Sequence, residues 1–233
     1  MSMPQSTIRF ATGPAYEDAS AQRGAVAAAA RSATKRALDV VGSLAGLLLL
    51  SPLLAAVAVL FRLDSRGPIL FRQTRKGING REFGCLKFRT MVIDAEARLR
   101  ELESRNESAG GVLFKIKDDP RVTKLGRFLR KSSIDELPQL WNVLVGQMSL
   151  VGPRPLQLRD SNRLEALAPE SYSRRLSVMP GVTGPWQVGG RSEVDSLRML
   201  QLDLEYVENW SLATDLEILV KTVGVVVRRQ GAC

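Results

Sequence analysis

Apolar positions form one continuous block near the N-terminus, and the periodic patterns come after it. An uncharged run of 22 residues extends from Val40 to Phe61, with Ser51-Pro52 near its middle. At about 1.5 Å per residue, a helix of this length just crosses the hydrocarbon core of a bilayer, which is about 30 Å thick. The pattern therefore predicts a membrane segment.

The topology of this segment has two readings. Basic residues flank both ends of the run, whereas a spanning helix is basic mainly on its cytoplasmic side; they are Arg31, Lys35, Arg36, Arg62 and Arg66. Pro52 cannot donate to the Leu48 carbonyl, so we expect a bend, and the Ser51 hydroxyl is expected to satisfy backbone groups that the bend frees. The residues alone leave open a segment that enters the membrane and returns, and a spanning helix with a kink.

The rest of the pattern predicts three regions and a fold class. Residues 1–31 are rich in Ala, Ser, Gly and Pro and are expected to be a flexible tail, residues 32–66 hold the membrane segment, and residues 67–233 form a folded domain. In that domain, a strand from Pro68 and a strand over 82–88 flank Gly77-Ile-Asn-Gly80, whose Asn-Gly pair signals a hairpin turn. The expected class is α/β, mainly helical with a short β-hairpin.

Helices are predicted at the remaining periodic segments, which are residues 95–104, 124–130, 136–145, 193–209 and 213–229. The last of them carries an apolar stripe that includes Leu216, Val220 and Val223. We expect this stripe to pack in the core; contact with a membrane is the alternative.

Composition narrows the possible functions. Lys and Arg number 33 against 24 Asp and Glu, and this formal charge of +9 suits nucleic acid, anionic lipid headgroups or a phosphorylated substrate. The membrane segment favours the last two. The chain contains no histidine, which excludes Ser-His activation, phosphohistidine chemistry and His-ligated metals. Carboxylates are therefore left to perform acid-base or nucleophilic work.

Two adjacent carboxylates, Asp135 and Glu136, follow a group of cations that includes Arg130. Nearby cations keep an aspartate ionised and can hold a phosphate beside it, which is what a carboxylate nucleophile needs to attack phosphorus. A purely structural alternative is open, because Ser133 and Glu136 match a capping box and Asp135 is itself a possible helix cap.

Three more segments bring cations that could contact phosphates. Lys87-Phe-Arg-Thr-Met91 follows the second strand, Gly152-Pro-Arg-Pro155 is a stiff loop that aims Arg154, and Gly189-Gly-Arg191 offers backbone amides beside a guanidinium. Their structural alternatives are a solvated strand face, a plain turn and an ordinary loop.

Taken in chain order, these segments resemble the bacterial sugar transferases, the monotopic phosphoglycosyl transferases of polyprenol-phosphate glycan assembly. The resemblance covers roughly Lys35 to Gly231. It is carried by Lys35-Arg-x-x-Asp39, Ser51-Pro52, Lys87-Phe-Arg-Thr-Met91, Asp119-Pro-Arg-Val-Thr123, Ser133-Ile-Asp-Glu-Leu-Pro-Gln139, Gly146-Gln-Met-Ser-Leu-Val-Gly-Pro-Arg-Pro155, Pro180-Gly-Val-Thr-Gly184 and Gly189-Gly-Arg191.

The resemblance implies a re-entrant helix-break-helix at Ser51 and Pro52, with the catalytic domain on the cytoplasmic face of the bacterial inner membrane. It implies transfer of a sugar-1-phosphate, with a hexose expected, from a UDP-sugar to undecaprenyl phosphate, with release of UMP and a requirement for Mg²⁺. Asp135 matches the nucleophile that forms a covalent phosphosugar intermediate, and Glu136 matches its partner and a Mg²⁺ contact. The residues that match phosphate- or nucleotide-binding positions are Lys87, Arg130, Arg154 and Arg191.

Two other classes of protein are weighed against this enzyme. A catalytically silent scaffold in glycan assembly would bind lipid or glycan partners, but it would not need both acidic residues of the pair. A nucleic-acid binder needs an exposed basic groove and has no use for a membrane segment, so the expected partners are the two substrates and membrane lipids, without nucleic acid. No segment carries a readable code for the particular sugar or for an oligomeric state.

Overall fold

The structure is a computed structural model that describes residues 14–64, 67–106, 112–113, 116, 118–190 and 195–228. Residues 1–13 of the expected tail lie outside this part. The first helix, α1, covers Pro14–Asp64, so residues 14–31 are helical where the composition predicts a flexible tail.

α1 contains the one helix segment in the described part of the chain that is long and apolar enough to cross a membrane, Ser32–Leu63. The helix is continuous through Pro52, so the structure does not show the expected break. The Ser51 hydroxyl donates to the Leu48 carbonyl over 2.8 Å. This confirms the predicted role of Ser51, because the carbonyl is the one that Pro52 cannot serve.

One face of α1 packs on the domain, and the opposite face is apolar and exposed. Asp39 and Ser43 are buried four residues apart, and so are Val57 and Phe61. The 14 residues from Ser43 to Val57 make close to four turns, so all four lie on one side of the helix. The Phe61 ring stacks on Phe88 at 5.9 Å between centroids. The exposed side presents large apolar residues, namely Val41, Leu44, Leu48, Leu49, Val59, Leu60 and Leu63.

Asp39, an acidic residue just before the apolar run, is hydrogen-bonded to the folded domain. One of its oxygens accepts hydrogen bonds from the Ser149 hydroxyl at 3.0 Å and from the Leu150 amide at 2.8 Å. Both donors belong to a short strand, Ser149–Val151, that leads into the loop around Arg154. α1 is thereby tied to the segment that positions a candidate site residue.

The predicted hairpin is confirmed. Strands β1 (Leu70–Lys76) and β2 (Glu82–Phe88) pair antiparallel with Lys76 opposite Glu82. Asn79 in the connection has φ of 52°, the left-handed conformation that Asn tolerates in a tight turn.

The remainder of the domain is mostly helical, as expected, with a second small strand pair that the patterns do not predict. A 3₁₀ helix over Ala97–Arg105 and another over Ile134–Glu136 accompany these elements. The regular elements are α2 (Lys124–Lys131), α3 (Gln139–Leu144), β3 (Ser149–Val151), α4 (Leu158–Leu167), α5 (Pro169–Arg175), β4 (Gly181–Thr183), α6 (Pro185–Val188), α7 (Ser196–Glu208) and α8 (Leu212–Arg228).

Two expectations need correction. The helix expected over residues 136–145 begins only at Gln139, because Pro138 lacks an N–H and precedes the first turn while Ser133 takes a left-handed conformation with φ of 57°. Most of the apolar stripe of α8 does not enter the core, since Leu216, Val220 and Val223 are 58%, 74% and 64% exposed. α8 packs through Ile218, and one further residue of the stripe, Leu219, is partly buried against the same cluster.

β3 and β4 form a parallel pair that brings two glycine-containing loops into contact. Ser149 pairs with Gly181 and Val151 with Thr183, and the Gly152 amide donates to the Thr183 carbonyl over 2.9 Å. A Cβ placed on Gly181 would lie 2.1 Å from the Gly152 nitrogen, so the two backbones approach each other only because this position lacks a side chain.

Gly181→Ala is therefore expected to destabilise the domain by about 1–3 kcal/mol, the usual cost of overpacking a tight site. The free energy of unfolding, measured by denaturant titration in detergent, checks this. Gly224→Ala in α8 is the matched control, because nothing lies within 4 Å of its added Cβ. That variant should be neutral or more stable. Equal stability of the two variants would contradict the close approach.

Candidate active site

Glu136 is the centre of a buried ion-pair cluster drawn from three separate elements. Lys87, near the end of β2, donates to Glu136 Oε1 over 2.7 Å. Arg154, in the 152–155 loop, donates from Nη1 to Oε2 over 3.0 Å and from Nη2 to Oε1. The carboxylate therefore has both oxygens engaged by cations, in the fork-like geometry that guanidinium groups favour.

Asp135 lies beside this cluster with a carboxylate that accepts no hydrogen bond from any residue that the structure describes, and the residue is only 7% exposed. It belongs to the 3₁₀ helix Ile134–Glu136, whose N-terminal Ser133 makes no side-chain capping bond. The capping-box alternative is therefore wrong, because Glu136 bonds to Lys87 and Arg154 instead of reaching back to Ser133.

Arg130 approaches Asp135 from α2. Its Nε donates to the Thr90 hydroxyl over 2.9 Å, and its charge interacts with Asp135 and Glu136. α2 is started by Thr123, whose hydroxyl accepts from the Gly126 amide over 2.9 Å. Thr123 is the last residue of the 119–123 motif, in which Asp119 and Arg121 form a buried ion pair of 2.6 Å. This motif therefore leads directly into α2, the helix that carries Arg130.

Lys87 is not on a solvated strand face, since its side chain is 15% exposed. The Asn142 side chain of α3 completes the edge of β2: it donates to the Gly84 carbonyl over 2.8 Å and accepts from the Leu86 amide over 2.9 Å. The Asn142 amide thus makes the hydrogen bonds that a neighbouring strand would make. It fixes β2, and with it Lys87, relative to the acidic pair.

Burial and charge act on the two carboxyl groups in opposite directions. Burial raises the pKa of Asp135 to about 6, against the attraction of Lys87 and with the repulsion of Glu136. Burial also opposes the charge of Glu136, but Arg154 and Lys87 hold its pKa well below its usual range. At neutral pH the pair therefore carries one firmly ionised group and one that titrates near physiological pH.

The pKa values of the three cations are shifted as well. Burial lowers the pKa of Lys87 and that of Arg130, while Glu136 and Asp135 respectively act against this effect. The pKa of Arg154 is raised despite its burial, because Glu136 stabilises the guanidinium charge. Arg154 also lies 5.9 Å from the Trp186 ring centroid, a cation–π contact.

Of the site residues expected from the sequence, the structure brings Lys87, Arg130, Asp135, Glu136 and Arg154 together. Arg191 lies outside the described residues. The sequence patterns missed several residues that support these five, namely Asp39, Arg75, Asn142, Arg175 and Asp203. They are polar residues within helices and a strand, and no spacing distinguishes them from surface residues.

The site therefore combines three cations, Lys87, Arg130 and Arg154, with the acidic pair Asp135-Glu136, and the same chain carries a helix segment long and apolar enough to cross a membrane. A family model described as bacterial sugar transferase matches residues 30–229. The chain belongs to this family.

Among curated proteins, the chain is 41% identical over 201 residues to the exopolysaccharide production protein ExoY of Rhizobium meliloti, an alignment that covers 85% of this chain and 87% of the relative. It is 44% identical over 201 residues to the undecaprenyl-phosphate galactose phosphotransferase of Salmonella typhimurium, which covers 85% of this chain and 41% of the relative. The glucose phosphotransferase of Komagataeibacter xylinus is 45% identical over 196 residues, 81% of this chain and 35% of the relative. The chain therefore spans less than half the length of several relatives and most of others.

Proposed function

We propose that this chain transfers a sugar-1-phosphate from a UDP-sugar to undecaprenyl phosphate, releasing UMP, as the first membrane step in the assembly of a polysaccharide. The observation that carries the proposal is the Asp135 carboxylate, buried and without a partner among the described residues, next to Lys87, Arg130 and Arg154. The names of the relatives, which include undecaprenyl-phosphate galactose and glucose phosphotransferases, supply the two substrates and favour a hexose.

Asp135 is the nucleophile in this proposal. One of its oxygens attacks the β-phosphorus of the UDP-sugar, a bond forms between that oxygen and phosphorus, and the bond to the bridging oxygen breaks so that UMP leaves with the electron pair. A phosphate oxygen of undecaprenyl phosphate then attacks the same phosphorus, and the carboxylate of Asp135 departs unchanged. Two steps through an acyl phosphate replace one difficult displacement.

The cations make attack of an anion on an anion feasible. Arg130 approaches Asp135 from α2, and Lys87 and Arg154 hold Glu136 beside it, so positive charge is already fixed where charge develops on the transferred phosphoryl group. Such fixed charges need no reorganisation during the reaction. Arg191 is proposed, on the resemblance alone, to contact the nucleotide.

The oxygens of Asp135 and Glu136 are the hard ligands that Mg²⁺ prefers, and the ion commonly takes one or two carboxylates with water and substrate phosphates. Glu136 Oε1 accepts from both Lys87 and Arg154, whereas Oε2 accepts, among the described residues, only from Arg154 and keeps a lone pair that a metal ion could use. When bound, Mg²⁺ would neutralise the diphosphate and the departing UMP.

We further propose that α1, which is continuous in the structure, bends at Ser51 and Pro52 in the bilayer, so that it enters the inner membrane from the cytoplasmic face and returns. The support is the buried face from Asp39 to Phe61, because a helix that packs on the domain along this length remains at the depth of the domain. Its exposed side and the exposed stripe of α8 offer apolar surface to lipid.

The test is UMP release by the full chain in nanodiscs, with undecaprenyl phosphate, Mg²⁺ and separate UDP-glucose, UDP-galactose and UDP-N-acetylglucosamine. We expect release with one hexose donor, dependence on the acceptor for sustained turnover, and loss on chelation with recovery on adding Mg²⁺. No release with any donor, from folded and membrane-bound protein, would contradict the proposal and favour a scaffold.

A further inference from the structure

The loop that carries Arg154 is held in an unusual way. Pro153 and Pro155 have no N–H, so the loop cannot be anchored through its own amides at those positions. Instead three consecutive carbonyls are bound: the Gly181 amide donates to Pro153 O over 2.9 Å, Arg175 Nη2 donates to Arg154 O over 2.5 Å, and Arg75 Nη1 donates to Pro155 O.

The first of the two arginines comes from α5 and is fixed by α7. Arg175 is 2% exposed, and its Nε donates to Asp203 Oδ2 over 2.7 Å. Asp203 is fully buried, and its other oxygen has no hydrogen-bond partner among the described residues. The Arg175 guanidinium therefore donates from Nε to a buried carboxylate and from Nη2 to the Arg154 carbonyl.

The second arginine comes from β1. Arg75 is 7% exposed, and its Nη2 donates to Gln73 Oε1 over 2.8 Å. Its Nε is buried without a partner among the described residues, so the side chain is not arranged to satisfy its own donors fully. The Pro155 carbonyl is a contact 80 positions away along the chain.

Stability is a poor reason for this arrangement. A buried ion pair such as that between Arg175 and Asp203 is often no more stabilising than apolar residues of the same size, because both charges lose their hydration. No carboxylate among the described residues is hydrogen-bonded to Arg75, and its pKa is lowered by burial despite the attraction of Glu136 and Asp160. Both guanidinium groups donate to the backbone of the same loop. Arg154 lies between the two prolines of that loop, and its side chain binds Glu136.

We propose that Arg75 and Arg175, the latter oriented by Asp203, are positioning residues that fix the Arg154 backbone so that its guanidinium is preorganised on Glu136 and the donor phosphate. This rests on the proposed function, since it assigns a second layer to the same site. Both arginines reach the site by hydrogen bonds to the backbone of the loop that carries Arg154. The charge of Arg75 also acts on Glu136 and Lys87, and a lysine at position 75 keeps that charge, so the substitution tests the hydrogen bond. Small misplacements of a group that binds the transition state are costly in rate.

The test compares Arg75→Lys and Arg175→Lys with two matched controls. Lysine keeps the positive charge near Asp203 but cannot span two acceptors as a guanidinium fork does, so these variants are expected to fold. The controls are Arg72→Lys, exposed on the same strand as Arg75, and Arg174→Lys, adjacent to Arg175 and paired with the exposed Glu208. We expect kcat/KM for UMP release to fall about tenfold or more in the first two variants and less than about twofold in the controls.

A double-mutant cycle separates positioning from a general structural role. In an Arg154→Gln background the substitution Arg175→Lys should change kcat/KM by less than about twofold, because a residue that acts only through Arg154 has nothing left to position. Multiplicative losses in the double variant would overturn the proposal.

Hydrogen exchange of the peptide that contains residues 150–158 gives a readout without activity. Exchange should be faster in Arg75→Lys and Arg175→Lys than in both controls, and equal rates would overturn the proposal. If the unsubstituted protein released no UMP from any donor, the proposed function would fail by itself, and hydrogen exchange would still decide whether the two arginines hold the loop.

Discussion

Asp135→Asn abolishes sustained UMP release, with an expected loss of at least about 10³-fold, because an amide oxygen does not form the acyl phosphate that the carboxylate forms. The comparison is made with the full chain in nanodiscs under saturating donor and acceptor. Asp94→Asn, in an exposed pair with Arg98, is the matched control and should retain full activity. More than a tenth of the parent rate in Asp135→Asn would contradict the nucleophile assignment.

The same substitution should leave the fold intact and make it more stable at alkaline pH. The pKa of Asp135 is raised to about 6 in the folded protein, above the usual value of 3.8, so ionisation of this group opposes folding. The stability that the neutral carboxyl contributes is present below pH 3.8 and is lost as pH rises to about 6. Asp135→Asn should therefore unfold with a free energy up to about 3 kcal/mol larger than the parent at pH 8, and with little difference at pH 3.5.

Glu136→Gln is expected to lower kcat/KM by about 10²–10³-fold at saturating Mg²⁺. The substitution leaves Lys87 and Arg154 buried without the carboxylate that they share, and removing one member of such a cluster is far more costly than its net contribution. Both cations are then free to pair with Asp135, which would hold the nucleophile as an ion pair. Glu165→Gln, which removes an exposed partner of Lys76, is the control and should be silent.

The pH dependence gives Glu136→Gln a second signature. In the parent, the single-turnover rate should rise with pH through a midpoint near 6, as Asp135 ionises. The charged groups that face Asp135 are Lys87 from β2, Arg130 from α2, Arg154 from the 152–155 loop and Glu136 itself. Burial raises the pKa of Asp135 in both proteins, but among these charged groups only Glu136 raises it, so the midpoint should move to lower pH in Glu136→Gln. An unchanged or higher midpoint would contradict this account of the site.

Much of the local structure was predictable because it depends on neighbours in the chain. The Asn-Gly turn requires only two residues that tolerate left-handed backbone, and α2 begins where Thr123 can cap it. The Ser51 contact with Leu48 follows from residues that lie three positions apart in one helix. The start of α3 was predicted too early, since the left-handed backbone at Ser133 leaves no mark in the hydrophobic pattern.

The candidate site was only partly predictable. The pair Asp135-Glu136, its cations and the stiff loop at Arg154 were identified from residue types and the resemblance. Their geometry was not, because Lys87 reaches Glu136 across 49 positions and Arg154 reaches it across 18. The distances between atoms so far apart in the chain depend on how β2, the 3₁₀ helix and the loop pack.

The sequence by itself determined the membrane-length apolar segment, the hairpin, most helices and the residues that meet at the acidic pair. The tertiary structure alone decided which carboxylate is hydrogen-bonded by cations and which accepts no hydrogen bond from the described residues, and it brought Arg75 and Arg175 onto one proline-flanked loop. The reason is physical. Turns, caps and helical periodicity come from interactions over a few residues, whereas burial and charge pairing arise from groups that only the packed fold brings together.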